Sequence, residues 1–130
     1  MISRCPFCLS NRSGKQATLL ENRSAYFLRS LDPVLRCSGM IIPFRHVAAV
    51  FDLTQNEWLD TFDLVNRAKL LLDVEGPQGY NVGWNIGQVA GQTVPHVHLH
   101  IIGRFSDEPF AGQGIRHHLK HEENRRRTRR

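Results

Sequence analysis

Apolar and polar residues alternate in several short runs along the chain and change to a helical period once. The sharpest alternation is Pro95-His96-Val97-His98-Leu99-His100-Ile101-Ile102. On a β-strand, successive side chains point to opposite faces. This pattern puts His96, His98 and His100 on one face and Val97, Leu99 and Ile101 on the other, with neighbouring histidines about 6.6 Å apart along the strand. Strand-like content also marks Ala17 to Glu21 and Ala25 to Arg29, with Asn22-Arg23-Ser24 as a hairpin turn. Further strands are expected over Gly39 to Phe44 and Tyr80 to Ile86. The helical period begins at Thr54, where Thr54 and Glu57 have the spacing of a capping box. Trp58, Phe62, Val65 and Leu72 follow at intervals of one helical face and are expected to form its buried side. Glu75-Gly76-Pro77 ends the helix, since Gly supplies the cap and Pro forbids continuation.

Composition narrows this to a class. At 130 residues, with 41% hydrophobic and 22% charged, the chain reads as one ordinary globular domain. No apolar run approaches the ~20 residues that span a bilayer. The N-terminus lacks a signal-peptide pattern, so a cytoplasmic location without membrane association is expected. The net charge of +5 is concentrated at one end. Lys120 to Arg130 holds six basic and two acidic residues, which is +4. The stretch 117–130 is therefore read as a basic, flexible tail rather than a nucleic-acid contact.

Three features carry candidate chemistry. Cys5-Pro6-Phe7-Cys8 has metal-ligand spacing and needs two more ligands for a closed tetrahedral site, with histidines as natural partners. A thioredoxin-type redox role is the alternative, although no βαβ pattern surrounds the pair. The histidine strand permits either a zinc-activated water or direct attack of an imidazole on phosphorus. Spacing alone leaves both open. The Gly-containing loop from Asn85 to Thr93 offers backbone N–H groups, amides and a hydroxyl suited to phosphate oxygens.

His96-Val97-His98-Leu99-His100-Ile101-Ile102 resembles the signature of the histidine triad (HIT) family of nucleotide hydrolases and transferases, in particular its bacterial diadenosine-tetraphosphate-hydrolase-like branch. Ala90-Gly91-Gln92-Thr93-Val94, Asn85-x-Gly87, Ile41-Ile42-Pro43-Phe44-Arg45-His46 and the cysteine pair are similar to the family's other landmarks. The resemblance implies an α+β HIT-like fold over 1–116, an antiparallel sheet with one long helix plus short helical segments, and a homodimer. It implies His98 as nucleophile on the α-phosphorus, with His100, Gln92 and Thr93 assisting, and with Asn85 and Gly91 at the phosphate. Cys5, Cys8, His46 and His96 would hold a structural zinc. Dinucleoside polyphosphates or nucleoside phosphoramidates are the implied substrates. A zinc-water hydrolase and a non-catalytic nucleotide-binding module remain the alternatives.

The chain departs from the family pattern in places. Ser30 stands where the family commonly has a ribose-binding Asp, with Asp32 two residues on. Cys37-Ser38 replaces Gly-His, which makes Cys37 either a thiol near the nucleotide pocket or a small buried residue. Phe44 replaces Lys.

Overall fold

The computed structural model describes residues 4–11 and 18–127. The expected strand start at Ala17, the turn residues 12–14 and the last three tail residues lie outside the described residues. Five strands form one antiparallel sheet: β1 (Leu20–Glu21), β2 (Ala25–Arg29), β3 (Ser38–Pro43), β4 (Gly79–Trp84) and β5 (Leu99–Arg104), in the order β1-β2-β3-β5-β4. Among the described residues, one long helix, α1 (Gln55–Asp73), and four single 3₁₀ turns complete the α+β architecture.

The central strands β2 and β3 bury both faces, whereas β5 buries alternate residues and β1 and β4 hold no fully buried one. In β2, Ala25, Tyr26, Phe27 and Leu28 are all buried. Ala25 and Phe27 join Ile41, Leu99 and Ile101 beneath α1, whereas Tyr26, Leu28 and Ile42 pack on the other side with Phe7, Met40 and Phe44. Phe44, in place of the expected lysine, stacks on Tyr26 with ring centroids 5.3 Å apart. Helix α1 covers one face of the sheet, and the Cys-Pro-Phe-Cys segment and the histidines occupy the other. Gly39 makes the β2–β3 contact possible, because a Cβ there would lie 2.4 Å from both Leu28 O and a Phe27 ring carbon.

The capping box of α1 forms as expected: Glu57 N donates to Thr54 Oγ1 (3.1 Å) and Thr54 N donates to Glu57 Oε1 (2.8 Å). Gly76, at φ +80°, turns the chain away after the last helical turn. The buried face of the helix, however, is Glu57, Thr61, Leu64, Ala68 and Leu72. Of the expected face only Leu72 is fully buried. Val65 packs at its margin, while Trp58 and Phe62 are 47% and 67% exposed. Both sets have helical spacing, and at 100° per residue their centres lie roughly 75° apart around the axis. The sheet takes the arc with Thr61 and Ala68, whose small side chains allow close approach, and the larger aromatics are left outside.

The second difference lies at β5. Pairing begins at Leu99, which faces Ile41 and Trp84, so His96 and His98 precede the ladder. Pro95 has no N–H to donate, and Val97 N donates to Val47 O (2.7 Å) rather than to a strand. The loop after β3 thus captures this stretch before the sheet does. Among the described residues, no helix is long and apolar enough to cross a membrane.

Candidate functional site

The histidine stretch supplies two adjoining centres. At its start, Cys5, Cys8, His46 and His96 bring their ligand atoms within 4.8 Å of one another. His96 Nδ1 lies 3.4 Å from Cys5 Sγ and 3.7 Å from Cys8 Sγ, and His46 Nδ1 lies 3.3 Å from Cys8 Sγ. A tetrahedral centre with metal–sulfur and metal–nitrogen bonds of about 2.3 and 2.0–2.1 Å places sulfur and nitrogen about 3.5 Å apart. The four residues therefore fit a metal ion. The tautomer of His96 agrees. Its Nε2 is 2.8 Å from Pro43 O, an atom that only accepts, so the proton sits on Nε2 and Nδ1 turns a lone pair toward the thiols. Burial pushes the Cys5 thiol up and the His96 imidazole down, so without a cation this pocket favours uncharged ligands.

Two residues on, His98 is buried and its Nδ1 lies 2.9 Å from His96 O. A carbonyl cannot donate, so Nδ1 carries the proton and Nε2 keeps a free lone pair. The Phe7 ring meets the His98 ring edge-on with centroids 4.9 Å apart, and the His100 ring also stands 4.9 Å from His98. Burial, followed by the neighbouring His98, holds the His100 imidazole below its usual value, which favours its neutral form at neutral pH.

The loop before the triad is held from within. Gln92 is 8% exposed and its amide is fully engaged: Oε1 accepts from Gly87 N (2.8 Å), and Nε2 donates to Ala48 O (2.8 Å) and Val94 O (3.1 Å). Its side chain thus ties the loop to the segment that carries His46. Gly87 and Gly91, at φ +87° and +97°, adopt backbone that favours glycine. Gly91 also passes close to Asn85, whose amide a Cβ would meet at 3.7 Å. Asn85 and Thr93 are exposed.

Ser30 follows β2 next to the row Leu28–Met40–His100–Gly83. Its N donates to Ser38 O (2.9 Å) and its Oγ accepts from Asp32 N (3.0 Å). Asp32 Oδ1 accepts from Val34 N and Leu35 N (2.7 and 2.8 Å), which holds its carboxyl below the usual range and commits that oxygen to the turn. Cys37 is a core residue. Its thiol approaches Leu72 O (3.6 Å), burial pushes it up, and a Cβ on Gly103 would come within 2.7 Å of its sulfur.

Two residues that lie within the sequence motifs have roles that only the structure gives. Phe7, the third residue of Cys-Pro-Phe-Cys, wedges between the metal-ligand cluster and His98. Arg45 grips Glu57 through both carboxylate oxygens (2.7 and 3.1 Å) and donates to Asp52 O (2.9 Å). That contact fixes the residue before His46 to the start of α1. The only signal was Arg45 directly preceding His46. Further along the histidine face, a cavity of about 760 Å³ lies beside Asn81, Ile102 and Arg104.

The sequence matches the HIT domain family over residues 11–107. It is 39% identical over 92 residues to a bis(5'-nucleosyl)-tetraphosphatase [asymmetrical] of Schizosaccharomyces pombe, covering 70% of this chain and 50% of that protein. It is 31% identical over 96 residues to the adenosine 5'-monophosphoramidase hnt1 of the same organism, covering 74% and 70%. The chain thus spans about half the length of the first relative. Among solved structures, a HIT family member from Bacillus subtilis superposes with a TM-score of 0.71 at 27% identity, covering 80% of this chain and 75% of that one. The family match covers well over half of the sequence, and the triad, the antiparallel sheet and the long helix accord with it: the chain belongs to the HIT family.

Proposed function

We propose that the protein is a nucleotide hydrolase or transferase that cleaves the phosphoanhydride or phosphoramidate bond at an α-phosphate. The observation that carries this reading is the Nδ1 hydrogen bond from His98 to His96 O, which commits Nδ1 to the backbone and leaves Nε2 of this buried ring as the nitrogen available for attack, with His100 beside it. Nε2 forms a bond to the α-phosphorus as the bond to the leaving group breaks, and the leaving group departs with the electron pair. Water then attacks phosphorus, the Nε2–P bond breaks, and a nucleoside monophosphate and a proton are released. His100, Thr93 and Asn85 would donate to phosphate oxygens as charge builds. Gln92 is the positioning residue for this loop, Gly91 gives it the required turn, and Ser30 faces the ribose. The two relatives act, by name, on a dinucleoside tetraphosphate and an adenosine phosphoramidate. These two bond types are the substrate classes we assign.

We assign zinc to Cys5, Cys8, His46 and His96. Two thiolates and two imidazoles close a tetrahedral shell, so the ion's contribution is to hold the N-terminal segment, and with it Phe7, against the triad. A homodimer through α1 and β4 accounts for Trp58, Phe62 and Val82, which stand exposed beside the open edge of the sheet. Three buried free cysteines suit a reducing, cytoplasmic compartment.

His98→Ala should abolish turnover of both substrate types and leave the zinc content unchanged from wild type. Persisting turnover in a folded variant overturns the assignment.

A further inference from the structure

One other group of metal-binding side chains stands out among the described residues. His117, His118 and His121 bring one ring nitrogen each within 4.8 Å of the others. Their ring centroids are 5.2, 5.3 and 6.2 Å apart. These imidazoles do not fill a core, because His117 is half-buried and the other two are exposed. Among the described residues none of their ring nitrogens has a hydrogen-bond partner, in contrast to His96 and His98, each of which has one ring nitrogen committed to a carbonyl.

The backbone beneath the cluster is built. Arg104 donates to Asn81 Oδ1 (2.6 Å), Gln113 O (2.7 Å) and Phe110 O (3.0 Å), anchoring the chain after β5 against β4. From there His117 N donates to Gly114 O (3.0 Å), Lys120 N to Arg116 O (3.0 Å) and Asn124 N to His121 O (2.9 Å). Asn124 Nδ2 adds a bond to Leu119 O (2.8 Å). Successive turns therefore present the three rings on one side of a folded segment.

We propose that His117, His118 and His121 form a second site for a divalent transition metal, separate from the Cys/His centre. Imidazole nitrogen suits zinc, nickel, cobalt and copper, and the absence of a carboxylate from the cluster disfavours magnesium and calcium. A tetrahedral ion would draw the nitrogens to about 3.3 Å from one another, a closure of at most about 1.5 Å that side-chain rotations of surface histidines supply. Three protein ligands leave at least one coordination position open. His117 and His118 also line the 760 Å³ cavity beside Arg104, so this position borders a space that a ligand oxygen can enter. All-nitrogen ligation at a partly exposed position makes the ion exchangeable, whereas the buried thiolate centre retains its own.

The test uses the full chain with its first centre filled with zinc, titrated with Co²⁺ and followed by elemental analysis and visible absorption. Wild type should take up a second equivalent whose spectrum lacks thiolate-to-metal charge transfer. His118→Ala/His121→Ala, checked for an unchanged far-ultraviolet spectrum, should weaken that uptake by at least about tenfold, the loss seen when even an outer partner of a ligand is removed. A single equivalent in wild type, a second equivalent unaffected by the double substitution, or a thiolate signature on the second ion would each overturn the proposal.

Discussion

Gln92→Ala separates a residue that holds the phosphate loop from one that touches substrate. The substitution removes the acceptor of Gly87 N and the donor to Ala48 O and Val94 O. A neutral hydrogen bond contributes about 0.5–1.5 kcal/mol net, so three sum to roughly 1.5–4.5 kcal/mol. Water can reach the freed groups, because the loop around them is exposed, which places the expected loss at about 2–3 kcal/mol. For a domain of this size that lowers the melting midpoint by roughly 10 °C. Gln92→Glu keeps an acceptor for Gly87 N but turns a carboxylate toward two carbonyls, and should destabilise at least as much. The assay pairs thermal unfolding with steady-state hydrolysis of diadenosine tetraphosphate. Both variants should melt early and lose kcat/KM together, as Asn85 and Thr93 lose their placement. If Gln92→Ala melts with wild type while turnover collapses, the amide works on the substrate and the positioning role is refuted.

Further expectations follow from other contacts. Gly39→Ala forces a methyl to within 2.4 Å of Leu28 O and the Phe27 ring, and should cost about 1–3 kcal/mol or more by overpacking; a denaturant midpoint equal to wild type would mean that β2 and β3 can part without cost. Hydrogen bonding from Arg45 holds the Glu57 carboxyl below its ordinary 4.5. Its contribution to stability is therefore complete above pH 4.5 and fades as pH falls through the lowered value. The stability gap between wild type and Glu57→Gln should narrow on acidification, and comparing the two at each pH cancels metal loss common to both; a gap that widens instead contradicts the ion pair. Stripping the Cys/His ion with a chelator should lower the melting midpoint while protein that is still folded retains turnover. Instant loss of activity without any change in melting would favour a zinc-bound water.

Much of this architecture can be read from short-range rules, and its exceptions arise where tertiary contact overrides them. The Thr54–Glu57 box depends on residues three apart and forms as the sequence implies. The metal-ligand cluster follows from Cys5-x-x-Cys8 once two histidines are brought to it. The helix face does not follow, because Trp58 and Phe62 satisfy the same period as Leu64 and Ala68, and only the close approach of the sheet chooses between them. The start of β5 is likewise decided at long range, by Val47 taking the N–H of Val97. Residue identity alone marks Gln92 as a polar loop residue, yet its role depends on Ala48, 44 positions away.

The central claim is that His98 Nε2 carries the nucleotide between two half-reactions. Rapid quenching of the full-length protein during turnover of diadenosine tetraphosphate, followed by peptide mass spectrometry, tests it directly. The account predicts one acid-labile nucleotidyl group on the peptide that contains His98, absent from His98→Ala. A nucleotidyl group on a different residue, or turnover at full rate with no adduct trapped at any time, would contradict it.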